Sequence, residues 1–293
     1  MSGRRLARLG VFGLGAAVLL YLGANLALAG VFMLLLTHPG CPQPIPLDPE
    51  FPAPQIVRLH TPDNLDLPAW YYPPRNGAAV IAFGSMQGAL GESLPPVGFL
   101  LHKGYGVLQL GSRACAHPPA AVTLGAEEVL DGQAAVEFLA HRPEVQRIGA
   151  FGFSMGAAGA IRTAASQPRI LAVAAEGGYP NLGESLARPG VQPAVTYFEL
   201  NLVWIYRLLC GCNPWQISPI DDLPRLAPRA VLLIYGEQEA GLNRAQALLQ
   251  AAGEPKMLWI APGGDHGTNY AQDPQTYAAQ VGAFFDRYLL PGR

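Results

Sequence analysis

The residues best suited to chemistry lie at Gly152-Phe153-Ser154-Met155-Gly156, within RIGAFGFSMGAA (147–158), where a β-branched and aromatic run (Ile148–Phe151) leads into the turn and a small-residue helix pattern follows. A G-x-S-x-G turn between a strand and a helix presents a serine hydroxyl clear of the sheet, and its glycines keep the turn free of side chains. A serine hydroxyl is a weak nucleophile until a base takes its proton, and a histidine held by a carboxylate does this best. Where such a serine sits on a strand-to-helix turn, the chain order is Ser, acid, His. Only one histidine follows Ser154, His266 in Pro262-Gly-Gly-Asp-His-Gly267. The acid is expected after the apolar run AVLLIY (230–235), where Tyr235-Gly236-Glu237-Gln238-Glu239 follows. A G-x-x-D-type turn places it at Glu239, with Glu237 and Asp265 as rivals. The oxyanion of acyl transfer needs two backbone N–H donors. One is expected at Met155, the other in the loop Gly84-Ser85-Met86-Gln87-Gly88, at Ser85 first and Met86 second.

Alternating strand and helix patterns position these groups. Ile56–Thr61 and Leu67–Tyr72 read as a hairpin turning at Asp63-Asn64. Ala78–Phe83, Tyr105–Leu110, Ile148–Phe151, Ile170–Ala175, Ala230–Tyr235 and Lys256–Ile260 read as strands. Glu92–Lys103, Gly125–Arg142, Asn243–Ala252 and Asp273–Leu290 read as helices. This rhythm predicts a mostly parallel sheet covered on both faces. Residues 183–218, including the apolar VTYFELNLVWIYRLLC, break it and are expected to form a small lid or, equally, ordinary surface helices.

The first residues differ in kind. Arg4, Arg5 and Arg8 form a basic tail (1–8), and the run from Leu9 to Leu36 carries no charge. It exceeds the roughly 20 residues that cross a bilayer. Ala27-Leu28-Ala29 fits a signal-peptidase site, but the apolar run continues past it through Leu36, which favours an uncleaved transmembrane helix over 9–36. The arginines place the N-terminus in the cytoplasm and the remainder outside. Gly13/Ala17 and Gly23/Ala27 are small-xxx-small pairs that permit a weak homodimer. Residues 37–54 are Pro-rich and read as an extended spacer. The domain then runs over 55–293, long enough for one large core.

Composition removes other classes. The net charge is −2 with 14% charged residues, and no basic run follows the first eight, so nucleic acid is not an expected partner. No Cys/His spacing suits zinc, and no dinucleotide fingerprint is present, so neither metal nor cofactor is expected. Cys210-Gly-Cys212 reads as two buried thiols rather than a strained disulfide, and the cysteines leave the redox compartment open.

Longer segments carry a resemblance. GAAVIAFGSMQG looks like a "GAAVVLLHGxGG" segment, and LHKGYGVLQLGSRACAH looks like "LAxxGYxVLxxDxRGxGxS". RIGAFGFSMGAAGAIRTA and EPKMLWIAPGGDH are similar to the elbow and to the approach to the histidine. Over about 55–290 the chain resembles the α/β-hydrolase superfamily, most closely its bacterial membrane-anchored serine hydrolases. The resemblance implies esterase, lipase-like or thioesterase activity on a small ester or lipid-like substrate. The chain departs from the pattern at Phe83, where the usual segment has His, and at Gly111-Ser-Arg113-Ala-Cys-Ala116, which keeps only the arginine. Those departures leave a non-catalytic binding module as the alternative from another class, with peptidase activity a minor option. His117, beside that loop, reads as the end of a turn before Pro118 or as a rim residue.

Overall fold

The computed structural model describes residues 3–45, 51–86, 88–89, 95–187, 193–239 and 242–290. It opens with helix α1 (Gly3–Thr37) and the hairpin β1 (Gln55–His60) and β2 (Asp66–Tyr72), turning where Asn64 takes a left-handed φ of 62°. Then follow β3 (Ala78–Phe83), α2 (Pro95–His102), β4 (Gly106–Leu110), α3 (Glu128–Ala140), β5 (Arg147–Phe153), α4 (Met155–Ser166) and β6 (Ile170–Glu176). Between β6 and β7 (Ala230–Gly236) lie α5 (Leu182–Leu186), α6 (Pro193–Cys210) and α7 (Pro219–Asp222). The chain closes through α8 (Leu242–Ala251), β8 (Lys256–Ala261), α9 (Asn269–Gln272) and α10 (Pro274–Leu289). The expected α2 start at Glu92 and spacer residues 46–50 lie outside the described residues.

The eight strands form one sheet in the order β1-β2-β4-β3-β5-β6-β7-β8. β2 runs antiparallel to β1 and β4, and the other neighbours are parallel. Every residue of β3 (AAVIAF) and β7 (AVLLIYG) is buried, as a parallel strand covered on both faces requires. One face is covered by α3, α4 and α8 through Leu139, Ile161 and Leu248. The other is covered by α2 and α10 through Leu100, Leu101, Val281 and Phe285. In α4 the small side chains Ala157, Ala158 and Ala160 combine high helix propensity with close approach to the sheet.

A third cluster joins the chain's first helix to the domain. Ala29 and Met33 of α1 are fully buried with Leu202, Val203 and Tyr206 of α6 and with Val122 and Leu124. The Val122 amide donates to the Thr37 carbonyl at 2.8 Å. Just beyond, Cys41 is disulfide-bonded to Cys115, a pairing the cysteine spacing did not reveal. The expected spacer therefore does not hold the domain away from the helix; apolar burial and a covalent link seat the end of α1 on it. Cys210 and Cys212 are free thiols, as read, but half-buried rather than buried.

Arg113, the retained arginine, is 3% exposed and bridges Asp63 in the hairpin turn and Asp131 of α3, the latter at 2.6 Å. It also donates to the Glu127 carbonyl at 3.0 Å. A buried guanidinium needs several acceptors at once, so this residue is retained as a structural clamp. His117 is exposed and pairs through its backbone with Asp66, ending a turn.

Candidate active site

The C-terminal ends of β5, β6, β7 and β8 meet at one edge of the sheet, where open α/β sheets build their sites. At the end of β5, Ser154 adopts φ 55° and ψ −117°, a conformation an L-residue holds only when its surroundings enforce it. They do. The Ser154 amide donates to the Glu176 carbonyl at 2.8 Å, fixing the turn against β6. Gly156 sits directly against the Phe83 and Gly84 carbonyls, where a Cβ has no room. Ser154 stands at the N-cap position of α4 without spending its side chain on a cap bond, so its hydroxyl remains available.

That hydroxyl lies 3.1 Å from His266 Nε2, and His266 Nδ1 lies 2.8 Å from Glu239 Oε1. An ionised carboxylate only accepts, so Nδ1 carries the proton and Nε2 is left to accept from Ser154. The second Glu239 oxygen accepts the Gly236 amide at 3.1 Å, which locks the carboxylate to the end of β7. The Glu239 side chain is 9% exposed and that of His266 46%, so the acid is sheltered while the imidazole faces solvent. The hydrogen bond to Glu239 holds the His266 pKa above its ordinary value of 6.5, against the opposing effect of burial. The His266 ring stacks obliquely on Phe153, with centroids 5.1 Å apart. Gly177, at φ +60°, passes close beneath the ring, where a Cβ would come within 2.8 Å of His266 Nδ1.

The rival acids are placed elsewhere. Glu237 Oε2 accepts the Gly263 amide at 2.8 Å. Asp265 Oδ1 accepts the His266 backbone amide at 2.8 Å and so shapes the loop rather than facing the ring. Met155 and Ser85, the expected oxyanion donors, line one small cavity of about 20 Å³ beside the elbow. The Met86 carbonyl is occupied by the Ser112 hydroxyl at 3.0 Å. Gln87 lies outside the described residues. Among those described, no group of His, Cys, Asp and Glu is arranged to hold a metal ion.

One residue escaped the sequence reading. Glu176, 2% exposed at the end of β6, accepts from Asn269 Nδ2 at 2.9 Å and from Tyr277 Oη at 2.6 Å. Burial raises its pKa, with both hydrogen bonds opposing. It ties the serine turn, through its own carbonyl, to the segment that follows His266. The signal was present: a carboxylate ends the otherwise apolar strand ILAVAAE.

Comparison with known proteins places this geometry among relatives. The Dienelactone hydrolase family profile matches residues 117–197, a segment that contains the serine turn. No curated protein matches the sequence. Among solved structures, an esterase of Pyrococcus furiosus is similar at 26% identity, with a TM-score of 0.65 over 80% of this chain and 92% of that one. The esterase domain of a Rhodothermus marinus protein is similar at 20% identity, with a TM-score of 0.56 over 80% and 98%. An α/β-hydrolase of a Penicillium species gives 15% identity and a TM-score of 0.63 over 81% and 99%. The last two likenesses bear on the fold alone. The strand order, the crossovers and these neighbours together make this the α/β-hydrolase fold.

Proposed function

Starting from an α/β-hydrolase fold related to esterases, we propose that this protein is a membrane-anchored serine hydrolase of carboxylic esters or thioesters. The observation that carries the reading is the unbroken relay from Ser154 through His266 to Glu239, with contacts of 3.1 and 2.8 Å, at the C-terminal edge of the sheet. Ser154 attacks the acyl carbonyl while His266 takes its proton, and Glu239 stabilises the imidazolium. The Met155 and Ser85 amides stabilise the oxyanion, aided by the positive end of α4. His266 then protonates the leaving group. Water, admitted on the exposed side of the imidazole, releases the acid by the reverse sequence.

The departures from the family pattern favour the non-catalytic alternative only if they disturb this relay. Phe83 is 4% exposed in the core, and Gly111 pairs with Gly88 through the backbone. Both line the small cavity beside the oxyanion loop, and neither supplies a hydrogen bond of the relay. Labelling by a fluorophosphonate probe, which requires an activated serine, separates the two readings. Labelling lost in Ser154→Ala supports the hydrolase, and a wild-type chain that never labels supports the binding module.

The anchoring half rests on α1. Val11–Thr37 is long and apolar enough to cross a membrane, and most of its surface is exposed. At about 1.5 Å per residue it spans about 40 Å, beyond the roughly 30 Å hydrocarbon core. Cleavage after Ala29 would cut a helix whose Ala29 and Met33 are fully buried in the domain, which favours an anchor over a cleaved signal. The Cys41–Cys115 disulfide suits an oxidising compartment, the side on which the basic tail places the domain.

A further inference from the structure

Helix α6 has two apolar faces, and only one is used inside the protein. Leu202, Val203 and Tyr206 are buried against Met155, Val122, Leu124 and Ile217. On the other side, Leu200, Trp204 and Leu208 recur every four residues, a single stripe along the helix, and are 51%, 75% and 82% exposed. A stripe of this kind is unfavourable in water and marks a surface with a partner. It does not stand alone. Trp204 and Leu208 share a groove of about 720 Å³ with Leu26 of α1, and Asn201, Ile205 and Arg207 complete its walls. Leu26 lies in the apolar span and is itself 49% exposed, so stripe, groove and span adjoin one another.

We infer that α6 is an interfacial helix, seated in the outer leaflet beside the point where α1 leaves the bilayer, with a phospholipid acyl chain in the α1–α6 groove. The inference rests on the anchored reading of α1. Three features single out lipid as the occupant. The stripe continues the span, so immersing one immerses the other. α6 packs on the C-terminal third of α1, the part that a helix of about 40 Å carries past a core of roughly 30 Å. The groove combines a tryptophan, an arginine and an asparagine with leucines, the mixture that suits the boundary between headgroups and chains. Arg207 can keep its guanidinium at the phosphate level while its stem stays among the chains. The buried face of α6 shares one apolar cluster with Met155, the residue after Ser154, and with Leu182 and Leu186 of α5.

The test uses the full chain reconstituted in phosphatidylcholine–phosphatidylglycerol vesicles, with or without brominated acyl chains that quench nearby tryptophan. Flotation after an alkaline wash reads anchoring independently. The expected result is a chain that floats, is quenched by brominated lipid, and loses most of that quenching in Trp204→Phe but not in Trp259→Phe. A floating chain quenched equally in wild type and Trp204→Phe overturns the interfacial helix and leaves the anchor standing. A chain that does not float overturns both. Absent quenching together with dimers captured by cross-linking in the vesicles gives the stripe to a second copy and overturns the lipid assignment.

Discussion

Glu239 and His266 meet at 2.8 Å, although 27 residues separate them, and Glu237 turns instead to the Gly263 amide. The two glutamates occupy the same turn, and only one reaches the imidazole. Glu239→Gln should therefore cut kcat by about 10³–10⁴, the scale on which a triad loses its imidazolium counter-charge. Glu237→Gln should stay near wild type. Steady-state kinetics on a p-nitrophenyl ester compare the two, and the reverse pattern would move the acid by two residues.

Ser154→Ala should abolish probe labelling and leave at most the residual catalysis, about 10³–10⁴ over water, that an oxyanion site gives alone. Its circular dichroism and melting temperature should match wild type, because the Ser154 side chain makes no cap bond. Labelling that survives in the variant would remove Ser154 from the role.

The elevated His266 pKa fixes the sign of a pH dependence. The base works as the neutral imidazole, so kcat/KM should rise with pH, with a midpoint above the ordinary histidine value of 6.5. Weakening the hydrogen bond that raises it, as in Glu239→Gln, should shift any residual profile toward lower pH. The same contact contributes to stability in full below 6.5, and that contribution fades as pH climbs through the folded-state value. A midpoint at or below 6.5 in the wild type would contradict the Glu239 contact.

Glu176→Ala leaves the Asn269 and Tyr277 donors without their acceptor in a buried site. Two orphaned groups should cost on the order of 2–4 kcal/mol in urea denaturation. Because Asn269 follows the His266 loop closely, kcat should fall as well. An unchanged denaturation midpoint would show that the network is dispensable.

The disulfide and the topology can be checked together. Cys41→Ser opens a bridge between residues 74 apart and should lower stability by about 2–4 kcal/mol. Maleimide should modify Cys41 and Cys115 only after reduction. An alkaline-phosphatase fusion after His60 should be active and a green-fluorescent-protein fusion there dark. The opposite fusion pattern would place the domain in the cytosol.

The pieces of this protein with local causes were legible in its residues alone. Fully apolar runs such as AAVIAF and AVLLIY, short and set between turn residues, read as strands covered on both faces, and the small residues after Ser154 read as a helix that closely approaches the sheet. The single histidine after Ser154 left chain order with one candidate, and the fold brings its ring within 3.1 Å of that hydroxyl. What depended on chains meeting across the fold was not legible. Glu239 rather than Glu237 meets the imidazole because the Gly236 amide holds the one carboxylate and the Gly263 amide the other. Cys41 found Cys115, and α1 found α6, through contacts between segments far apart in sequence, for which no periodicity or spacing leaves a trace. Glu176 gains its partners Asn269 and Tyr277 only where the chain's last helices pack against the end of β6. Backbone propensity and hydrophobic period are written residue by residue, whereas partners for buried polar groups exist only once the sheet and its two helical layers have assembled.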